Sequence, residues 1–332
     1  MPIKSFGGLR FRSSRVSDAF RWCASLFFPL LIGLSGCALL PSYGPGPSES
    51  FAPDLPQSIE LTEVPFFPQD AYQCGPAALA TALNFAGVAR TPQQLTDEVY
   101  LPQRQGSLQA EMLAATRRAG LIAYPLSPNL QAVLTEIAKG HPVVVLQNQL
   151  FDFFPRWHYA VVVGYDRASG EVILRSGTQK RLIDTLRGFE RSWEKAGRWA
   201  FVALPAGQLP ATAEEERYVL AAASLERATP QAAHDAYAAA LTKWPHNLVA
   251  RIGLGNIAYS SHRLPEAEAQ YLQATLDHPD SPDAWNNLAQ TLHDLGRNEE
   301  ALSAAERATS IGGARQETYR ATLQSIRSSS AK

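Results

Sequence analysis

The residues best suited to chemistry are one cysteine and one histidine. Cys74 stands in Gln73-Cys74-Gly75-Pro76, followed by an alanine-rich run over residues 77–85. Pro76 fits the first turn of a helix, where its missing N–H costs nothing. The spacing therefore predicts Cys74 at a helix N-terminus. Unpaired amides and the helix dipole favour a thiolate there, so the thiol pKa is expected below its ordinary value of about 8.5. Backbone donors at the same end could receive a developing oxyanion. His158 opens an apolar run ending at Asp166, which reads as a buried strand. A thiol and a neutral imidazole are the nucleophile and base of acyl transfer, and a third group should orient the ring. Asp166 is a charged candidate for that role, although a hairpin turn is expected around it; Asp152 lies on the loop before His158.

The surrounding sequence supplies elements to carry these groups. Residues 59–67 read as extended. Thr91 and Gln94 fit a capping box for a helix over 92–99, and Ser107 is placed to cap a second over 108–119. Residues 129–139 give another helical pattern, closed by Gly140. The period then changes: 142–147 and 171–174 read as strands, 181–193 as an extended piece leading into a helix, and 199–205 as a closing strand. His141, at a helix-to-strand corner before Pro142, reads as structural. Phe151, Phe153, Phe154 and Trp157 form an aromatic loop, either a wall near the cleft or core packing. The cysteines do not cluster and the seven histidines are scattered, so no metal constellation is expected.

The segment around Cys74 resembles the C39 group of papain-like cysteine peptidases, some of which process leader peptides at double-glycine sites in bacteriocin export. The resemblance runs over residues 60–206 and implies Cys74 as nucleophile and His158 as base. It also implies an upstream glutamine at the oxyanion, with Gln69 chosen and Gln73 the alternative. The position that carries Asp or Asn in that group holds Ser176 here, within Arg175-Ser176-Gly177. Ser176 ranks first for position and Asp166 second for chemistry, with a dyad aided by backbone or water also open.

Residues 1–21 carry Lys4, Arg10, Arg12, Arg15 and Arg21 against one acid, Asp18, and an apolar stretch over 22–34 follows. A basic head and a short apolar run mark a signal peptide. Leu34-Ser35-Gly36-Cys37 resembles a bacterial lipobox, which implies cleavage before Cys37 and its lipidation. Ala38 in place of aspartate then implies sorting to an outer membrane. Residues 38–58, rich in Pro, Ser and Gly, read as a tether. Net charge is −1, and no dense Lys/Arg stripe is present, which argues against nucleic-acid binding. With only Cys23, Cys37 and Cys74, no disulfide framework can form.

Beyond residue 213 the pattern repeats every 34 residues, over 214–247, 248–281 and 282–315. Leu220, Leu254 and Leu288 correspond, as do Ala221, Gly255 and Ala289, then Ala233, Ala267 and Ala301, then Ala240, Ala274 and Ala308. The pattern resembles the tetratricopeptide repeat, with a capping helix from Gln316. Such an array implies a protein partner, or simple docking on the first domain.

The expected organisation is thus a lipoprotein signal peptide at 1–36, lipidated Cys37 and tether at 37–58, an α+β papain-like peptidase domain with a helical subdomain and antiparallel sheet at 59–206, a linker at 207–213, and an all-α repeat solenoid at 214–332. The expected function is peptide-bond hydrolysis by a lipid-anchored protein of the bacterial cell envelope, at the outer membrane and facing the periplasm. No metal or organic cofactor is called for. The expected partners are a peptide or protein substrate, a protein on the repeat surface, and the membrane itself. A related amidase or acyl-transfer enzyme is the first alternative. A non-catalytic binding lipoprotein on a decayed peptidase fold is the second, and Ser176 keeps it open.

Overall fold

The computed structural model describes residues 54–68 and 73–330. Cys37, the signal peptide, most of the tether and Gln69 lie outside the described residues.

β1 (Ser58–Glu60) is followed by irregular chain, because Pro65 and Pro68 remove ladder donors. The expected extended stretch over 59–67 is correspondingly short. α1 (Cys74–Phe85) begins on the cysteine itself. α2 (Pro92–Val99) carries the expected capping box, with Gln94 N–H donating to Thr91 and Thr91 N–H to the Gln94 side chain. β2 (Tyr100–Leu101) and β3 (Gly106–Ser107) then form a small hairpin. Ser107 belongs to that hairpin and does not cap α3 (Gln109–Arg118), whose N-cap is Leu108.

β4 (Leu121–Pro125) was not foreseen from the sequence. α4 (Leu130–Ala138) is capped by Asn129. β5 (Val143–Asn148), β6 (Trp157–Asp166), β7 (Glu171–Ser176), β8 (Gln179–Thr185), α5 (Leu186–Glu194) and β9 (Ala200–Pro205) complete the first domain. The sheet runs β4-β9-β5-β6-β7-β8, every neighbouring pair antiparallel, with β1 beside the second half of β6.

Alternation along the strands gives the sheet two buried faces. Tyr159, Val161 and Val163 of β6, with Val144 and Leu146 of β5, pack under α1, α2 and α3. Ala160 and Val162, with Val143 and Val145, face α4 and α5. A register shift between Val162 and Gly164 breaks the alternation, so Tyr165 falls on the α4 side.

The remaining helices pair as repeats: α6 (Glu215–Ala223) with α7 (Pro230–Lys243), α8 (Leu248–Ser260) with α9 (Leu264–Asp277), and α10 (Pro282–Asp294) with α11 (Asn298–Ile311). α12 (Gln316–Ser330) closes the array. Ala233, Ala267, Ala301, Ala240, Ala274 and Ala308 are all fully buried. At Gly255 a Cβ would lie 2.4 Å from the Tyr271 ring, so only glycine admits this approach of α8 and α9. The equivalence fails at Leu220, which is 62% exposed while Leu254 and Leu288 are buried. Leu254 leans on a preceding repeat, and the first repeat has none.

The first repeat docks on the α4/α5 side of the sheet and shares its core. Tyr218, Val219, Tyr237 and Leu254 join Tyr124, Val202 and Leu174 in one cluster. The Tyr124 hydroxyl donates to the Thr212 carbonyl (3.2 Å) and accepts from Glu214 N–H (3.1 Å). Glu136, wholly buried, accepts from Thr212 N–H (2.8 Å), Thr212 Oγ1 (2.6 Å) and Ala211 N–H (3.2 Å), and meets His141 Nδ1 at 2.6 Å. His141 therefore has the structural part expected of it. The Cys74 helix lies on the other face of the sheet.

Candidate active site

The site starts from the head of α1. Cys74 is half-buried, and the thiol sits against the backbone of Tyr159, the residue after His158. Gly75 lets the β2–β3 hairpin close on the helix start: a Cβ there would lie 2.2 Å from Ser107 Oγ, which has no hydrogen-bond partner. The β2–β3 hairpin is held in place by the Tyr159 hydroxyl, which donates to the Ser107 carbonyl at 3.1 Å. Tyr159 in turn packs edge-on against Trp199, with ring centres 5.8 Å apart.

His158 enters from β6, paired with Gln147 across the ladder. Its Nε2 meets Ser176 Oγ at 2.8 Å, and Ser176 is buried at the end of β7. Nδ1 is thus the ring nitrogen left for other work. Next to Ser176, the buried Arg175 donates to the carbonyls of Val64, Lys180 and Thr62, fastening the chain that leads into α1.

Asp166 requires a correction as an imidazole partner. Its Oδ1 accepts from Ala168 N–H (2.8 Å) and Ser169 N–H (3.2 Å), so it is spent in the β6–β7 turn. Eight strand steps of about 3.3 Å separate it from His158. Gln69 lies outside the described residues. Gln73 precedes α1 as its N-cap residue and makes no side-chain cap.

The electrostatics correct a second expectation. Burial pushes the Cys74 thiol above its ordinary value, and the amides of Tyr159, Gly75 and Cys74 itself offset only part of that rise. Burial and the nearby Arg156 cation push His158 down to about 4. The helix terminus alone suggests a thiolate, but the covering β2–β3 hairpin and the sheet remove the water that would stabilise one. Both groups are therefore neutral at pH 7, Cys74 as a thiol and His158 as an unprotonated imidazole. Alkylation of Cys74 by iodoacetamide is therefore expected to be slower at pH 7 than that of free cysteine, and to climb only above the ordinary cysteine range. A rate already at its plateau at pH 6 would instead reveal a standing thiolate.

Three contributors escaped sequence reasoning. Tyr159 offers its amide to the sulfur, which no side-chain motif reveals. Arg156 acts on the imidazole, and its place two residues before His158 was the available signal. Ser107 covers Gly75 through a tertiary contact with no sequence signature. Among the described residues, no group of three or more His, Cys, Asp or Glu side chains is placed to hold a metal ion.

Residues 61–201 match the Peptidase_C39 like family, and residues 218–275 and 252–316 match the tetratricopeptide repeat. No curated protein matches the chain. Among solved structures, a protein described as a C39-like peptidase from Bacillus anthracis is 18% identical over 45% of this chain and 98% of its own, with a TM-score of 0.38. The Sgt2 tetratricopeptide-repeat domain from Aspergillus fumigatus is 21% identical over 36% of this chain and 80% of its own, at 0.33. A double glycine motif protease from an AMS/PCAT transporter, in complex with the leader peptide, is 21% identical over 43% of this chain and 91% of its own, also at 0.33.

Proposed function

Because this chain joins a Peptidase_C39-like domain to tetratricopeptide repeats, we propose that it is a cysteine peptidase anchored by lipid at Cys37 to the bacterial cell envelope. The observation that supports the reading is the His158 Nε2–Ser176 Oγ contact of 2.8 Å, which engages one ring nitrogen and leaves Nδ1 for the chemistry, one residue before the Tyr159 backbone that meets the Cys74 thiol.

In this reading chemistry begins from the neutral pair. Nδ1 of His158 accepts the thiol proton as Sγ attacks the peptide carbonyl, so charge separates only as the bond forms. The amide of Cys74, at the unpaired end of α1, donates to the oxyanion, with Gln69 as its side-chain companion. The imidazolium then protonates the leaving amine, and the thioester is hydrolysed by a water that His158 deprotonates. Ser176 holds the ring without adding charge. An acid limb set by His158 near pH 4 follows, since the ring must be unprotonated to accept the proton.

The test is incubation of the protein with a library of peptides, read by mass spectrometry. Discrete products sharing a residue preference at the cut are expected. An unaltered library would favour the non-catalytic alternative, and release of side-chain ammonia without chain cleavage would favour the amidase.

A further inference from the structure

The connection between β5 and β6 is longer than an antiparallel pair requires. Two residues suffice for a hairpin, yet residues 149–156 intervene between Asn148 and Trp157. The extension is firmly built at its base. The buried Asn148 carboxamide accepts from Leu150 N–H (3.1 Å) and Arg156 N–H (3.0 Å), holding both stems at once. Gln149 N–H donates to the Arg156 carbonyl at 3.0 Å, Phe154 N–H to the Phe151 carbonyl at 3.0 Å, and Lys195 Nζ to the Leu150 carbonyl at 2.9 Å.

This base displays four large rings to solvent. Phe151, Phe153, Phe154 and Trp157 are 63%, 86%, 69% and 53% exposed. Phe151 and Phe153 stack with centres 5.3 Å apart at an interplanar angle of 6°. The sequence left open whether these rings line a wall or fill a core, and the structure keeps them out of the core. Four exposed rings on a fixed scaffold, two of them stacked, are the mark of a contact surface.

We propose that this loop is the docking element for the polypeptide substrate, taking a segment with an aromatic or large aliphatic side chain next to an acidic one. The inference rests on the peptidase reading for the word substrate. Continuity with the site supports it, because Trp157 is the residue immediately before His158 and Arg156 lies close enough to act on the ring. The rings receive the apolar side chain and Arg156 the carboxylate. A bilayer is the other natural occupant of exposed aromatics, and Asp152 argues against it. That carboxylate sits between Phe151 and Phe153 at the tip, and hydrocarbon would strip its water without offering a partner.

The test measures binding apart from turnover. Full-length protein carrying Cys74→Ala is titrated against fluorescein-labelled peptides of equal length, read by anisotropy. The peptides contain Phe-Glu, Phe-Lys or Ser-Glu in an otherwise Gly/Ser chain. The Phe-Glu peptide is expected to bind tightest. Adding Phe153→Ser and Phe154→Ser should weaken it about 10- to 30-fold, with the melting temperature unchanged because both rings are exposed. Arg156→Glu should reverse the order of the Phe-Glu and Phe-Lys peptides. Should the double variant melt early, Phe153→Ser alone serves, its ring being the most exposed. Equal binding of all three peptides, or no loss in the ring variants, overturns the proposal. So does a result in which those variants lose only adhesion to phosphatidylcholine/phosphatidylglycerol vesicles, or only self-association in sedimentation. Failure of wild-type protein to cut the library would overturn the peptidase reading and leave this binding result standing.

Discussion

Cys74→Ala and His158→Ala are each expected to lower kcat at least about 10⁴-fold, and the double variant is expected to be no slower than the worse single one. The sulfur has no resting charge, because burial holds the thiol proton on. In the proposed mechanism attack therefore requires His158 to accept that proton in the same event, so neither group is expected to accomplish much alone. Multiplicative losses in the double variant would mean that the two residues act in separate steps, contrary to the proposed dyad. Ser176→Ala gives the contrast. It removes one neutral hydrogen bond, worth about 1 kcal/mol, so a fall in kcat of only about tenfold is expected, with KM unchanged. Single-turnover and steady-state kinetics on a cleaved library peptide measure all of these.

The second large effect concerns stability. Glu136→Ala is expected to cost about 3–5 kcal/mol, the range for breaking a buried charged network by deleting one partner. The change strands the amides of Ala211 and Thr212, the Thr212 hydroxyl and His141 at the seam between sheet and repeats. Burial alone would raise the Glu136 pKa, but hydrogen bonds from His141 and Thr212 outweigh it and the net shift is downward. A lowered carboxyl pKa stabilises the fold above the unfolded value of 4.5, and that contribution is lost as pH falls through the folded pKa. Calorimetry should show one transition for wild type, since the core is shared. Glu136→Ala should lower it by about 10 °C or split it in two. Glu136→Gln should flatten the loss of stability below pH 4.5.

Much of this arrangement was legible from the chain. Thr91 and Gln94 announced α2 because a capping box is local, and the alanine ladder announced the repeats because each unit repeats the same close helix contacts. Ser176 was singled out through the resemblance to the C39 group, and its hydroxyl meets the imidazole at 2.8 Å. β4 was missed because Leu121–Pro125 is short, apolar and without alternation, a pattern shared by buried helix fragments. The direction of the Cys74 shift was missed for a related reason. A helix terminus is readable from Gly75 and Pro76, but the cover of β2, β3 and β6 over the sulfur is tertiary. Asp166 looked chemically apt, yet its side chain serves the turn beside it.

The repeats grip the sheet on the side away from Cys74, and this imposes a ruler on anything they hold. A protein captured on the array must pass around the sheet and one layer of helices before its chain reaches the sulfur. At about 10 Å for each of these two layers and at most about 3.5 Å per extended residue, that detour consumes at least about six residues. Cleavage of an array-bound partner would fall at least that far along an unfolded segment from the point of capture, whereas a free peptide meets no such minimum.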